Sequence, residues 1–222
     1  ARNRLIKEAR GKYVLFLDAD MIPDRQNFFS RWLDLIERKR PFVAFGGLSV
    51  EQVKPTRETA LHHDLFARSD CGAAKRRAKS AAQCTASANL LVRRAVFSRL
   101  PFDSEFTGWG FEDTDWALRA ARYTRILHID NPATHAGLDN VATLLRKSAE
   151  AGPNFARLVA KHPRSTKRFS AYRAARLLKR LPGRGALRSF SAGVARSTLA
   201  PMPARRLALK VFRASHYAEH LA

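Results

Sequence analysis

The chain has 222 residues, 45% of them hydrophobic, with 41 Lys/Arg against 19 Asp/Glu and a formal net charge of +22. This length and apolar content allow one sizeable core plus an extension, and no apolar run approaches the roughly 20 residues of a membrane-spanning helix. Two cysteines, Cys71 and Cys84, exclude a disulfide framework and fit a reducing compartment, with the cytoplasm as the expectation.

In chain order, Ala1 to Ala9 reads as a helix closed by Gly11 near its C-cap. No capping residue precedes it, so the sequence reads as beginning inside an element, with its first part missing. Tyr13-Val14-Leu15-Phe16-Leu17 has the apolar continuity of a buried strand and ends on Asp18-Ala19-Asp20. Pro23 and Asp24 open a helix in which Phe29, Trp32, Leu33 and Ile36 recur at helical spacing until Pro41. Phe42 to Phe45, with Gly46-Gly47, reads as a second strand and turn. Residues 51–84 mix His62-His63, the basic cluster Lys75, Arg76, Arg77 and Lys79, and many alanines, and are expected to form a surface excursion or mobile loop.

Ser87 to Val92 reads as a strand and Arg94 to Leu100 as a short helix, followed by a loop rich in Gly and aromatics over Phe102 to Gly110. A helix over Glu112 to Tyr123, a strand over Arg125 to Ile129, then Pro132 and His135 come next. Residues 139–162 read as two helices parted by Gly152-Pro153. Strands alternating with helices predict an α/β fold. From about residue 169 the chain carries 11 Lys/Arg and a single acid, Glu219, with breaks at Pro182-Gly183, Pro201 and Pro203. The last helix, Arg205 to Leu221, sets Leu207, Ala208, Val211, Phe212 and Ala218 on one face, flanked by Arg205, Arg206, Lys210 and Arg213. That pattern suits an anionic membrane surface and equally a helix docked on its own domain. The predicted organisation is residues 1–168 as the site-bearing portion and 169–222 as a basic amphipathic tail.

Three groups carry chemistry. In open α/β sheets ligands bind beyond the carboxyl ends of the strands, and Asp18 and Asp20 sit at such an end. Two carboxylates one residue apart suit a hard divalent cation, Mn²⁺ or Mg²⁺, with Asp20 as the direct ligand and Asp18 on a ribose hydroxyl or on metal-bound water. A solvated turn gives the same sequence. In Gly108-Trp109-Gly110-Phe111-Glu112-Asp113-Thr114-Asp115, the glycines admit close backbone approach and Trp109 offers a flat face to a sugar ring. Glu112 and Asp113 open a helix, where a carboxylate can take a proton from an acceptor hydroxyl. Asp115 reads as helix capping. His135 follows a predicted strand and can complete the metal site as a neutral imidazole. His128 and His62-His63 lack such a context and read as structural.

These pieces in this order, Ala1-Arg2-Asn3, then Gly11 to Asp20, Ala88-Asn89-Leu90-Leu91-Val92-Arg93-Arg94, Gly108 to Asp115 and His135, resemble family 2 glycosyltransferases over about residues 1–162. The Trp-Gly-x-Glu-Asp region also resembles a galactosyltransferase-type C-terminal domain. The resemblance implies a GT-A fold, a nucleotide-sugar donor such as a UDP-sugar, a divalent metal, and inversion by direct displacement. It implies Asp20, Asp18 and His135 as the metal set, and Asp18, Arg2 and Asn3 on the donor. It implies Asp113 as base with Glu112 assisting, and Trp109, Asn89 and Glu112 on the acceptor. The family's upstream strand-helix units, which cradle the base, are absent from the order, so a partial GT-A sheet lacking most of the nucleotide-binding half is expected.

The function so read is sugar transfer to a hydroxyl acceptor in glycan or cell-surface polysaccharide synthesis, on a glycan or lipid-linked acceptor, with peripheral attachment to the inner face of the cell membrane through the tail. The alternative is a catalytically incompetent basic protein bound to a membrane surface or nucleic acid. No nucleic-acid-binding module or regular basic-aromatic array is present, which sets nucleic acid below the sugar-transfer reading.

Overall fold

A computed structural model of the protein describes residues 2–222. By internal contacts the chain forms two compact units: Ala1–Lys54, Asp64–Asp103 and Glu112–Leu138 in the first, and Pro55–His63, Ser104–Phe111 and Asp139–Ala222 in the second. The elements in order are α1 (Arg2–Glu8), β1 (Tyr13–Leu17), β2 (Met21–Pro23), α2 (Phe28–Lys39), β3 (Val43–Phe45), β4 (Leu48–Ser49), α3 (Ala60–Ser69) and α4 (Ala74–Arg77). There follow β5 (Asn89–Arg93), α5 (Arg94–Arg99), α6 (Glu112–Ala120), β6 (Ile126–His128), β7 (Ala133–His135), α7 (Val141–Lys161), α8 (Pro163–Thr166), α9 (Ser170–Lys179), α10 (Arg184–Arg196) and α11 (Met202–His220).

The first unit holds two small sheets, so the α/β class expected from the sequence stands. One runs β1-β5-β3-β6, with β5 antiparallel to both β1 and β3 and β3 parallel to β6. The other runs β2-β7-β4. Its strands are only two or three residues long, so the core comes from packing across the sheets. Phe16, Phe97, Phe102 and Trp116 form an aromatic cluster in which Phe97 stacks on Trp116 with ring centres 4.8 Å apart. Val43, Ala44, Phe45 and Val92 are excluded from solvent.

Residues 51–84 correct the expected loop. They contain α3 and α4, and Arg77 from the basic cluster is buried, not solvated. Its guanidinium donates to the carbonyls of Gly46, Gly72 and Ile129, pairs with Asp130 at 3.6 Å, and lies 5.0 Å from the Phe45 ring centre. Gly47 has φ 99°, and a Cβ there would run into this guanidinium. A charge run is usually a solvated face; here one member is desolvated because backbone carbonyls and a carboxylate satisfy it.

Residues 139–162 also differ from the expectation. α7 is one helix with Pro153 inside it. Proline removes one helical hydrogen bond, yet Ala151, Asn154, Phe155 and Leu158 carry a buried stripe straight across it, and that packing keeps the helix whole. In the second unit α11 packs on α7, α9 and α10. Ala208, Phe212 and Ala218, the face matched above to either a membrane or a domain, are buried in that packing, while Leu207 is exposed. No described helix is long and apolar enough to cross a membrane.

Candidate active site

The site is built by strand register. Antiparallel pairing sets Leu17 opposite Asn89, so the chain just before β5 lies beside the chain just after β1, and the Asp18 N–H donates to Ala88 O at 3.3 Å. Ser87, two residues before β5 begins, is thereby brought to the end of β1. Its N–H donates to Asp113 Oδ2 at 2.9 Å and its hydroxyl to the same oxygen at 3.1 Å. Asp113 lies in the first turn of α6 with Glu112 before it. Arg2, on α1, closes the group: its guanidinium is 3.3 Å from Asp18, 3.4 Å from Glu112 and 4.0 Å from Asp113 Oδ1. Four sequence-predicted residues, Arg2, Asp18, Glu112 and Asp113, thus meet in one cluster of the first unit.

The electrostatics separate these carboxylates. Burial pushes Asp113 up to about 6, Glu112 adds to the rise, and the Ser87 bonds and Arg2 oppose it. Its Oδ1 is shielded from solvent and accepts no hydrogen bond. Burial works against the charge on Arg2, but Asp113, Asp18 and Glu112 outweigh it and hold the guanidinium protonated more firmly than usual. Asp115 is buried and paired with Arg119 one turn on at 2.8 Å, an ion pair within the helix and not the capping role the sequence suggests.

A second pair stands at the neighbouring sheet. β2 and β7 pair Met21 with His135, and Ala136 N–H donates to Asp20 O at 2.8 Å. His135 Nε2 and Asp20 Oδ2 come to 3.3 Å, and the Phe66 ring lies 5.2 Å from the imidazole. Gly137 has no room for a Cβ beside the Asp20 carboxylate. One carboxylate and one imidazole suit a borderline divalent ion such as Mn²⁺ with open positions for phosphate oxygens. No group of three or more His, Cys, Asp or Glu side chains placed to hold a metal ion occurs among the described residues, and Asp18 is engaged by Arg2. Asp20 and His135 therefore fit as a two-point platform, not a closed cage.

The remaining predicted residues sit elsewhere. Asn89 is fully buried and donates to the carbonyls of Gly47 and Asn131 at 2.8 and 2.9 Å. Asn3 makes a reciprocal pair with the backbone of Phe102, at 2.8 and 2.9 Å. Trp109 belongs to the second unit, is 41% exposed, and has the Lys147 ammonium 5.9 Å from its ring centre. In that unit Asn154, which sequence reasoning passed over, donates to the carbonyls of Thr107, Trp109 and Gly110 and so fixes the glycine-aromatic loop on α7. Phe111, with φ 71°, is held in a left-handed conformation by rings of Phe155 and Tyr217. Ser87 was also missed: a serine before a strand carries no signal of its partner 26 residues on.

His128 is structural, as expected: burial and Arg77 lower it to about 4, and its Nδ1 faces the Arg77 guanidinium. His62 Nδ1 accepts the Asp139 N–H at 2.7 Å. Both cysteines are free, and burial with nearby Asp70 raises the Cys71 thiol to about 12, far from a nucleophile's range.

No curated protein matches the chain. Among solved structures it is similar to S. aureus TarS 1-349 in complex with UDP, at 13% identity and a TM-score of 0.45 over 99% of this chain and 68% of that one. Residues 1–100, which hold Arg2, Asp18, Asp20 and Ser87, match the sequence profile of glycosyl transferase family 2, a match that supports a transferase and, with the mixed α/β architecture, a partial GT-A fold.

Proposed function

We propose that the protein is an inverting glycosyltransferase that moves a sugar from a nucleoside-diphosphate sugar, such as a UDP-sugar, to a hydroxyl of a glycan or lipid-linked acceptor. One observation carries the reading: a half-buried, Ser87-held carboxylate, Asp113, lies in one cluster with Asp18 through Arg2, within a chain whose first 100 residues match a glycosyltransferase family. A base held near neutrality is matched to removing a hydroxyl proton at physiological pH. Asp113 takes that proton, and Glu112 orients the acceptor. Arg2, with Asp18, offers its charge to the donor's phosphates or ribose, and Asn3 acts by holding the backbone of Phe102. Asn89, fully buried, holds the turn at Gly47.

Asp20 and His135 would hold a divalent cation, Mn²⁺ or Mg²⁺, which when bound offsets the charge of the departing diphosphate. Residues 1–168 are the transferase portion in this reading. The basic segment 169–222 meets an anionic surface such as the inner face of the cell membrane, through its exposed Leu177, Leu181, Phe190 and Leu199 and not the buried face of α11.

Calorimetry of the full chain with UDP and UDP-sugars tests the donor side. Binding is expected with Mn²⁺, and about tenfold or more weaker in Asp20→Ala and His135→Ala. Equal binding with and without metal in both variants contradicts the metal assignment.

A further inference from the structure

The Asp113 carboxylate is asymmetric. Oδ2 receives both the Ser87 N–H and its hydroxyl, whereas Oδ1 accepts nothing and is shielded from water. Ser87 is itself 1% exposed, so neither bond competes with solvent. Two donors on one oxygen fix both the position and the rotation of the carboxylate, because Oδ1 must then point away from the β5 approach, on the side of Arg2.

We propose that Ser87 is the positioning residue of the base, pinning Oδ2 and so fixing the orientation of the Asp113 carboxylate for proton transfer. The inference rests on the transferase reading above. In the step so arranged, the acceptor O–H bond breaks and its proton passes to the Asp113 carboxylate. The acceptor oxygen's electron pair makes the new bond to the anomeric carbon, and the diphosphate leaves with the pair of the bond it loses. Two ionisable groups face Asp113: Glu112 from its own helix and Arg2 from α1. Glu112, a carboxylate, has no hydrogen to donate, and Arg2 cannot replace the Ser87 hydroxyl as a donor to Oδ2 without leaving its present partners.

The test reads the carboxylate directly, by ¹³C NMR titration of the full chain with labelled aspartate, beside transfer kinetics. Removing a donor to the ionised form raises a carboxyl pKa. Ser87→Ala is therefore expected to move the Asp113 midpoint up by about one unit and to lower kcat about tenfold, with donor KM unchanged. Ser87→Thr, which keeps the hydroxyl, is expected to restore both. Ser87→Cys, which keeps the volume but donates weakly, is expected to follow Ser87→Ala, so a packing role is told apart from a hydrogen-bonding one. A wild-type Asp113 midpoint in folded Ser87→Ala or Ser87→Cys, or a raised midpoint with unchanged kcat, overturns the proposal. The titration needs no substrate, so its failure is separable from failure of the transferase reading, which Asp113→Asn tests.

Discussion

Asp113 carries two opposed demands. It must be ionised to accept a proton, yet its surroundings disfavour the charge and lift it to about 6. Because the folded value lies above the unfolded one, protonation favours the folded state. The stability contribution is fully present below about pH 4, fades as the pH rises toward 6, and is gone above that. Asp113→Asn, neutral at all pH values, is expected to stabilise the protein by about 2 kcal/mol at pH 8 and negligibly at pH 4, the figure allowing for screening of a side chain 24% exposed. Urea denaturation at the two pH values checks this. An equal gain at both pH values would place the effect in packing and not in charge. A site residue whose removal stabilises the fold is the usual sign that the position is held for chemistry.

At the scale of elements, the site depends on short strands whose registers leave little slack. The turn after β7 is one such case. Gly137→Ala would force the Asp20 carboxylate off His135, and Mn²⁺ affinity is expected to fall by about tenfold with the far-UV circular dichroism unchanged. Retained affinity would mean that the Asp20–His135 pair is not the cation's platform. In the second unit, Asn154→Ala removes the donor shared by three loop carbonyls. Hydrogen exchange at Thr107 to Gly110 is expected to quicken, by an opening free energy lower by about 1–3 kcal/mol. Unchanged protection would show that the aromatic contacts of Phe111 fix the loop without Asn154.

Sequence pattern reached these elements unevenly. Tyr13–Leu17 was legible because a five-residue apolar run has few alternatives, and the acidic start of α6 because the macrodipole favours carboxylates there. α3 and α4 were not legible, because their mix of alanine, histidine and lysine has neither a clean apolar stripe nor any hint that Arg77 would be desolvated. Proline misled in α7, where tertiary packing overrode the local preference. Of the candidate site, Asp18, Glu112 and Asp113 could be chosen by residue type and position, and Arg2 only through the family resemblance. Ser87 could not, because what selects it is the β1–β5 register.

For the whole molecule, the charge is distributed so that residues 139–222 carry 18 Lys/Arg against three Asp/Glu. That excess is available to anionic partners, but the helices bearing it are also structural. Ala151, Phe155, Ala175, Tyr217, Ala218 and Leu221 form one buried cluster. Removing residues 202–222 uncovers it, and the expected result is loss of protection along α7 and α9 in hydrogen exchange, with aggregation once salt screens the positive charge. If α7 remained protected, α11 would be an attached tail and not part of that core. Sedimentation of the intact chain with anionic and neutral vesicles then separates the membrane role from the folding role, with binding expected only to the anionic ones.

The most direct measurement of the central claim is sugar transfer from a panel of nucleoside-diphosphate sugars by the full chain with Mn²⁺, comparing wild type with Asp113→Asn. The account predicts turnover by the wild type and a loss of about 100-fold or more in kcat for the variant, with donor affinity retained. Wild-type turnover by Asp113→Asn would contradict it.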